Sequence, residues 1–308
     1  MTLTLPSFAK INWVLEVLGK RPDGYHEIRT LLQTISLADE LSFTPIAGDI
    51  EIICSGGDLP QDETNLAYRA ASLLRDFSGI DQGVRIAIDK RIPIAGGLGG
   101  GSSNAAVTLL ALCKLWNVEL SPKDLLALGA KLGADVPFFF LGGTCIGVGR
   151  GDEVYPLEDF QAGFLLLVNA GIALPTAEVY ANLPPRLTNP IAKAKMPLSL
   201  EAAYANTGSL RLRHKLHNEL EISAFARHPL LGEIKKRLLD LGAWGVLMSG
   251  SGSTIFAIFD SEIARSGAMR DLGAMRDLRD LNDTGWWWAP AHALSRRQYR
   301  EALSVIDG

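Results

Sequence analysis

Cysteine is scarce in this chain. Its 308 residues hold three, Cys54, Cys113 and Cys145, widely spaced and odd in number. No C-x-x-C spacing occurs, which excludes a zinc ribbon and a thioredoxin-like dithiol. A reducing compartment suits such a chain, and the cytoplasm is the expected location. An excess of one charge is missing too: 30 Lys and Arg face 34 Asp and Glu, a formal net charge of −4. That balance gives no reason to expect nucleic acid or an anionic membrane as a partner. The longest uncharged run, residues 92–113, is broken by glycine, serine and asparagine, a poor composition for a bilayer span. Residues 1–10 lack the basic stretch and long apolar run of a signal peptide. The five histidines form no metal set: His214 and His217 lie among Arg211, Arg213 and Lys215, neighbours that disfavour a cation.

What is present is ordinary globular material, 47% apolar and 21% charged. The length suggests about two domains. A chain of this size buries a large core without disulfide or metal staples. The first third reads as strands, at residues 2–8, 9–18, 27–35, 41–44 and 50–54. Residues 65–77 carry helical spacing, and 84–88 is a further strand. Residues 102–116 form an apolar helix, and Ser121-Pro122 opens another that runs to Leu132. Short strands return over 144–155 and at 164–168; 184–197 reads as loop. Helices follow near 199–205, 218–226 and 230–241, strands at 246–248, 255–259 and 286–289, and a helical tail over 291–306. In the last strand, alternation sends the middle ring of Trp286-Trp287-Trp288 to the opposite face. The hexapeptide Gly267-Ala268-Met269-Arg270-Asp271-Leu272 recurs at once as residues 273–278. Two copies of so short a unit build no solenoid, so the repeat lengthens a surface helix or its flanking loop.

The main chemical signal is Pro93-Ile94-Ala95-Gly96-Gly97-Leu98-Gly99-Gly100-Gly101-Ser102-Ser103-Asn104-Ala105-Ala106, between a strand and a helix. Dense glycine lets backbone approach a ligand and turn its N–H groups inward. The helix start adds free N–H donors and the positive end of a dipole. Ser102 and Ser103 add hydroxyls that suit phosphate or a magnesium ion. The Walker pattern fails because Ser102 stands where lysine is needed. The dinucleotide pattern fails because Ser102 or Asn104 stands at its third glycine. The loop therefore reads as a phosphate cradle of another kind.

Other residues are ambiguous one at a time. Lys10 lies in a strand, where a lysine usually faces solvent. Asp135, before the apolar run Val136-Pro137-Phe138-Phe139-Phe140, reads equally as a helix cap. Tyr25-His26 flanks a Pro-Asp-Gly turn, and Ser249-Gly250-Ser251-Gly252-Ser253 reads as a plain turn or as a second glycine loop backing a site.

Together these residues resemble the GHMP kinase superfamily. The resemblance spans nearly the whole chain and is carried by residues 7–12 with 21–27, the loop 93–106, Gly133-Ala134-Asp135-Val136-Pro137, and 249–253. The pairing of Phe8-Ala9-Lys10-Ile11-Asn12 with Asp23-Gly24-Tyr25-His26 narrows it to members with a cytidyl-linked acceptor. The resemblance implies a two-domain α/β (α+β) protein. An S5-like ATP-binding domain would span 1–160, a ferredoxin-like domain 161–290 and an extension 291–308, with the active site in the cleft. It implies ATP with magnesium as donor. The acceptor would be the tertiary 2-hydroxyl of cytidine diphosphate methylerythritol, with a homoserine- or mevalonate-type kinase as the alternative. Asp135 would be the catalytic base and Lys10 its charged partner. Pro93, Ile94, Ala95, Gly96, Gly97, Leu98, Gly99, Gly100, Gly101, Ser102 and Ser103 would cradle the ATP phosphates, with Asn65 and Leu66 near the adenine. Asn12, Tyr25, His26, Thr176 and Tyr180 would line the acceptor side. Trp13, where the family more often has a small aliphatic residue, departs from the pattern and suggests a reshaped neighbouring pocket. The hexapeptide duplication and the tail after Pro290 also lie outside it, and touch none of the proposed catalytic residues.

Overall fold

Alternating apolar residues build two sheets in this computed structural model, which describes residues 2–56, 59–159, 163–189, 215–276 and 286–304. The first sheet begins with β1 (Leu3–Lys20) and β2 (His26–Ile46), a long antiparallel pair joined by the 21–25 turn. The two strands expected at 2–8 and 9–18 are thus one strand, as are those expected at 27–35 and 41–44. The β1 register shifts between Phe8 and Lys10 and again between Asn12 and Val14. Such bulges bend a strand and re-aim its side chains, which blurs the simple alternation in the sequence. β3 (Ile50–Ser55) pairs in parallel with β4 (Gly83–Asp89), which lies against β2.

Three helices cover this sheet. α1 (Leu66–Ser78) starts at Asn65, whose side chain accepts from the Ala67 N–H, and stops at Gly79 with φ 69°. α2 (Gly100–Leu115) starts two residues before the expected Ser102, and no side chain caps its first turn. α3 (Pro122–Leu132) has Ser121 as its N-cap and Pro122 at its first position, as expected. A 3-10 turn (Pro137–Phe140) follows, then β5 (Thr144–Gly149) on the other side of β2 and β6 (Glu153–Pro156) on β5.

The second sheet holds β7 (Phe164–Asn169) and, after the short helices α4 (Thr176–Ala181) and α5 (Pro185–Thr188), receives the rest of the chain. β8 (His217–Asn218) returns to the first sheet beside Val14 and Leu15. α6 (Glu221–Arg227) and α7 (Pro229–Asp240) lead to β9 (Gly245–Met248) and β10 (Ile255–Phe259). α8 (Glu262–Arg276) leads to β11 (Trp287–His292), and α9 (Arg296–Leu303) ends the described chain. The sheet order is β11-β7-β10-β9, all antiparallel. With its crossover helices this is the βαββαβ pattern of a ferredoxin-like unit.

Three later elements also differ from expectation. The helix expected at 218–226 starts at Glu221, because His217 and Asn218 pair with β1. The loop expected at 184–197 opens with the helical turn Pro185–Thr188, and residues 190–197 lie outside the described residues, as does the helix expected at 199–205. The tail expected to be helical from 291 is strand to His292 and helical only over Arg296–Leu303. The sheet boundary near 160 is thus crossed twice, since both β8 and α9 pack on the first lobe. The first hexapeptide copy lies wholly in α8, a surface helix as expected.

Packing follows the strand period. Leu166 and Val168 of β7 face the helices of the second lobe, while Leu165 and Leu167 face a cluster shared with Ile11, Trp13, Leu31 and Leu98. The second sheet is thus apolar on both faces, which is why its strands read as unbroken hydrophobic runs. Trp286 and Trp288 join the helical side and Trp287 the shared cluster, as alternation predicts. This shared core fixes the two lobes around the cleft.

Candidate active site

Two of the register shifts between β1 and β2 bracket Lys10 and Asn12, which lie two residues apart and so on one face. Lys10 is 4% exposed and does not face solvent as a lone strand lysine would. Its Nζ donates to Asn12 Oδ1 at 2.9 Å and lies 3.3 Å from Asp135 Oδ2. Asn12 Nδ2 donates to Thr30 Oγ1 at 2.7 Å, and that hydroxyl donates to the Val14 carbonyl, also at 2.7 Å. Asp135 caps no helix. It sits in the turn after α3, which Gly133 ends, and keeps a 35% exposed side chain open to the cleft. A buried lysine, held from below by an amide, thus presents its ammonium to a reachable carboxylate.

The glycine loop closes over this pair. The Lys10 N–H donates to the Leu98 carbonyl at 2.9 Å, tying β1 to the loop. A Cβ on Gly97, at φ 74°, would lie 2.1 Å from the Ser249 backbone oxygen. Ser249 Oγ donates to the Gly97 carbonyl at 2.9 Å, and the Thr254 N–H to the Gly96 carbonyl at 3.1 Å. The 249–253 segment is therefore a second glycine loop backing the first, not a plain turn. Asn218 holds it from behind, donating to the Met248 and Gly250 carbonyls at 2.7 and 2.8 Å. The uncapped first turn of α2 leaves N–H donors at the cleft, the arrangement that binds phosphate.

The cleft has a volume of about 1020 Å³ and is lined by both lobes. Each residue from Pro93 to Ser102 lines it, with Lys10, Asn12, Tyr25, His26, Leu66, Asp135, Thr176 and Tyr180. Two expected residues do not. Asn65 spends its side chain on capping α1 and on the Pro60 carbonyl at 2.8 Å. Ser103 is fully buried and accepts from Ser7 Oγ at 2.8 Å. Only Ser102 of the two serines faces the cleft. Trp13 also stays out; it lies edge-on to Phe256 at 5.4 Å in the shared core, so the pocket is not reshaped by its ring.

In the same cleft His26 stacks on Tyr180 with ring centroids 5.0 Å apart. His26 Nε2 is buried with no hydrogen-bond partner in the protein. Burial first, and the Lys20 charge second, hold its pKa below the ordinary imidazole value, so the ring is neutral. Burial, with the charge of Asp135 adding to it, pushes the Tyr180 phenol up and keeps it protonated. Tyr25 is 58% exposed, with Arg150 over its ring at 5.1 Å. Thr176 Oγ1 lies 2.8 Å from Ser251 Oγ, joining α4 to the second glycine loop.

Sequence reasoning missed a further pair. Asp39 and Lys90 are 1% and 7% exposed, and Lys90 Nζ donates to the two Asp39 carboxylate oxygens at 3.0 and 2.8 Å. Asp39 Oδ1 also accepts from the Arg91 and Ile92 N–H groups, both at 2.8 Å, anchoring the entry to the glycine loop. Only the β2–β4 register, with Glu40 opposite Asp89, brings the two together. Among the described residues no group of three or more His, Cys, Asp or Glu is placed to hold a metal, and no helix is long and apolar enough to cross a membrane.

Two family models match the chain: GHMP kinases N terminal domain over residues 65–143, and GHMP kinases C terminal over 200–275. A 4-diphosphocytidyl-2-C-methyl-D-erythritol kinase of Syntrophus aciditrophicus is 44% identical over 273 residues, 88% of this chain and 95% of that one. The chain belongs to the GHMP kinase superfamily. Another such relative, from Syntrophotalea carbinolica, is 45% identical over 84% of this chain and 91% of its own length. A crystal structure of 4-(cytidine 5'-diphospho)-2C-methyl-D-erythritol kinase superposes with a TM-score of 0.74 at 35% identity, covering 94% of this chain and 99% of that one. A homoserine kinase structure from Cytophaga hutchinsonii shares the fold, at a TM-score of 0.68 and 20% identity over 95% of this chain and 96% of that one. This GHMP kinase therefore has the two-domain architecture of its superfamily, with mixed α/β domains, and acts on a small molecule.

Proposed function

We propose that this GHMP kinase transfers the γ-phosphoryl group of ATP to the 2-hydroxyl of 4-diphosphocytidyl-2-C-methyl-D-erythritol. The observation that carries the choice of acceptor is His26: a neutral imidazole stacked on Tyr180, with a buried nitrogen that lacks a protein partner, in the wall of the cleft that the glycine loop also lines. A planar base with a polar edge suits that nitrogen, and the exposed Tyr25 ring offers it a face. The relatives named above, at 44% and 45% identity, carry that activity in their names.

The chain's own residues divide the work by position. The loop amides and the first turn of α2 hold the phosphates, with Ser102 the hydroxyl that faces them. Gly97 and Gly99 let the loop pack directly on the second glycine loop, Lys10 and Phe139, and the uncapped N–H groups of α2 suit the phosphates of ATP. A magnesium ion bound with the phosphates would supply further neutralisation of their charge, with Ser102 as the protein hydroxyl available to it. Asp135 accepts the proton of the acceptor hydroxyl as that oxygen bonds to phosphorus and the bond to the ADP oxygen breaks. Lys10 keeps its ammonium between Asn12 and Asp135, where it orients the carboxylate and stabilises charge on the reacting oxygens.

ADP release with this acceptor and with its uridyl counterpart tests the cytidyl end. A preference for the cytidyl compound of roughly tenfold or more in kcat/KM is expected from base-edge recognition. Equal rates would overturn that part of the reading. Tyr25→Ala should raise the acceptor KM roughly two- to tenfold, the worth of one aromatic stack; an unchanged KM would remove Tyr25 from the site.

A further inference from the structure

The turn that carries Asp135 is held from behind by the far end of the chain. Tyr299 of α9 is 2% exposed, and its hydroxyl donates to the Phe139 carbonyl. Burial pushes its pKa up, so the hydroxyl remains a donor throughout the working range. Its ring fills the space beside Gly142, where a Cβ would lie 2.2 Å from the Tyr299 ring, and sits 5.7 Å from Phe8. The Phe139 N–H donates to the Val136 carbonyl at 3.0 Å, and the Val136 N–H to the Gly133 carbonyl at 3.2 Å, so the hydrogen bonds run from Tyr299 into the turn around Asp135. The Phe139 ring and the Lys10 side chain both abut Gly99, where a Cβ would lie 3.0 Å from each.

The helix that delivers Tyr299 is itself firmly docked. Asp159 accepts from the Thr144 N–H at 2.8 Å and from the Arg296 N–H at 2.7 Å. The Arg296 guanidinium donates to the Leu157 and Thr144 carbonyls at 3.1 and 2.7 Å. Ser295 and Gln298 form a capping box at the helix start. Gln33 of β2 donates to the Leu294 carbonyl at 2.8 Å and accepts from Thr144 Oγ1 at 2.7 Å. Tyr299 lines no part of the cleft, so it reaches the chemistry only through the turn. Among the described residues the tail bonds to neither Asp135 nor Lys10 but is tied to the turn that follows Asp135.

We propose that Tyr299 is a positioning residue for phosphoryl transfer, fixing the Pro137–Phe140 turn so that the Asp135 carboxylate meets the acceptor hydroxyl. This rests on Asp135 acting as the base. A base displaced by about 1 Å loses up to roughly a hundredfold in rate, while nucleotide binding elsewhere is untouched.

The test is a double-mutant cycle in steady-state turnover on the full chain. Tyr299→Phe keeps the ring and its packing but removes the donor. It should lower kcat by roughly tenfold with the KM for ATP within about twofold. Asp135→Asn should lower kcat by about 10²-fold or more, and adding Tyr299→Phe to it should cost no more than about a further twofold, because two residues acting through one step are not additive. Leu303→Ala, in the same helix, loosens packing but leaves the Tyr299 donor in place and should keep kcat within about twofold below its own unfolding temperature. The inference is overturned if Tyr299→Phe turns over like the parent, if the two losses multiply, or if Leu303→Ala loses as much kcat as Tyr299→Phe. Parent-like turnover of Asp135→Asn would instead overturn the base assignment, and the positioning role with it.

Discussion

Asp135 and Lys10 stand 125 residues apart in the chain and 3.3 Å apart in space. If Asp135 is the base, Asp135→Ala should lower kcat by about 10²-fold or more with folding intact. Circular dichroism and single-turnover rates check both halves, and a parent-like rate would end the assignment. His26 gives a pH prediction. Its pKa lies below the ordinary imidazole value of about 6.5, so the neutral ring survives as pH falls through that value. The acceptor KM should stay flat from pH 8 down to about 6.5 and rise only below it; a rise centred above that value would contradict the buried, unprotonated ring. At this scale the sequence shows residue types but not meetings. Lys10 in a strand reads as a surface lysine, and what buries it is Asn12 beneath and the loop above, neither visible in local pattern. Asn65 and Ser103 fail as site residues for a related reason: each spends its polar side chain locally, one on a helix cap and one on Ser7, and spacing does not record such a partner.

At the scale of elements, the strand–loop–helix unit around residues 93–106 is legible, because glycine density followed by an apolar run has few other uses. The register shifts between β1 and β2 are not legible, since each interrupts the alternation without a local signal. The Asp39–Lys90 anchor is likewise invisible until β2 and β4 pair. Two glycines with similar backbone separate conformation from close approach. Gly79, at φ 69°, ends α1 with open space around it, and Gly79→Ala should cost about 1 kcal/mol for its left-handed backbone. Turnover should not change. Gly97→Ala adds a collision with the backbone of the second glycine loop to the same kind of conformational cost. Its kcat/KM for ATP should fall by at least tenfold at temperatures where it remains folded, as expected when a positioned loop is displaced. Thermal unfolding and ATP kinetics on the pair separate the effects, and equal kinetics in both variants would refute the close-packed loop.

For the whole molecule, chain length suggests two parts, the glycine loop a phosphate site, and the family resemblance a cleft between the parts to hold it. What holds the parts together lies beyond composition. β7 sends alternate leucines to two different cores, so one apolar run serves both the helices of its own lobe and the first sheet. β8 and α9 both return to the first lobe, which makes the cleft a product of the entire chain. The wall built from Tyr25, His26, Thr176 and Tyr180 draws on both parts and lines the same cleft as the glycine loop. The proposed function requires this wall to select a cytidyl acceptor for the phosphoryl group held at the loop. The most direct measurement is ADP release from ATP and magnesium with 4-diphosphocytidyl-2-C-methyl-D-erythritol, homoserine or mevalonate in parallel. Turnover with the first alone is expected, and turnover with either of the others in its place would contradict the proposed function.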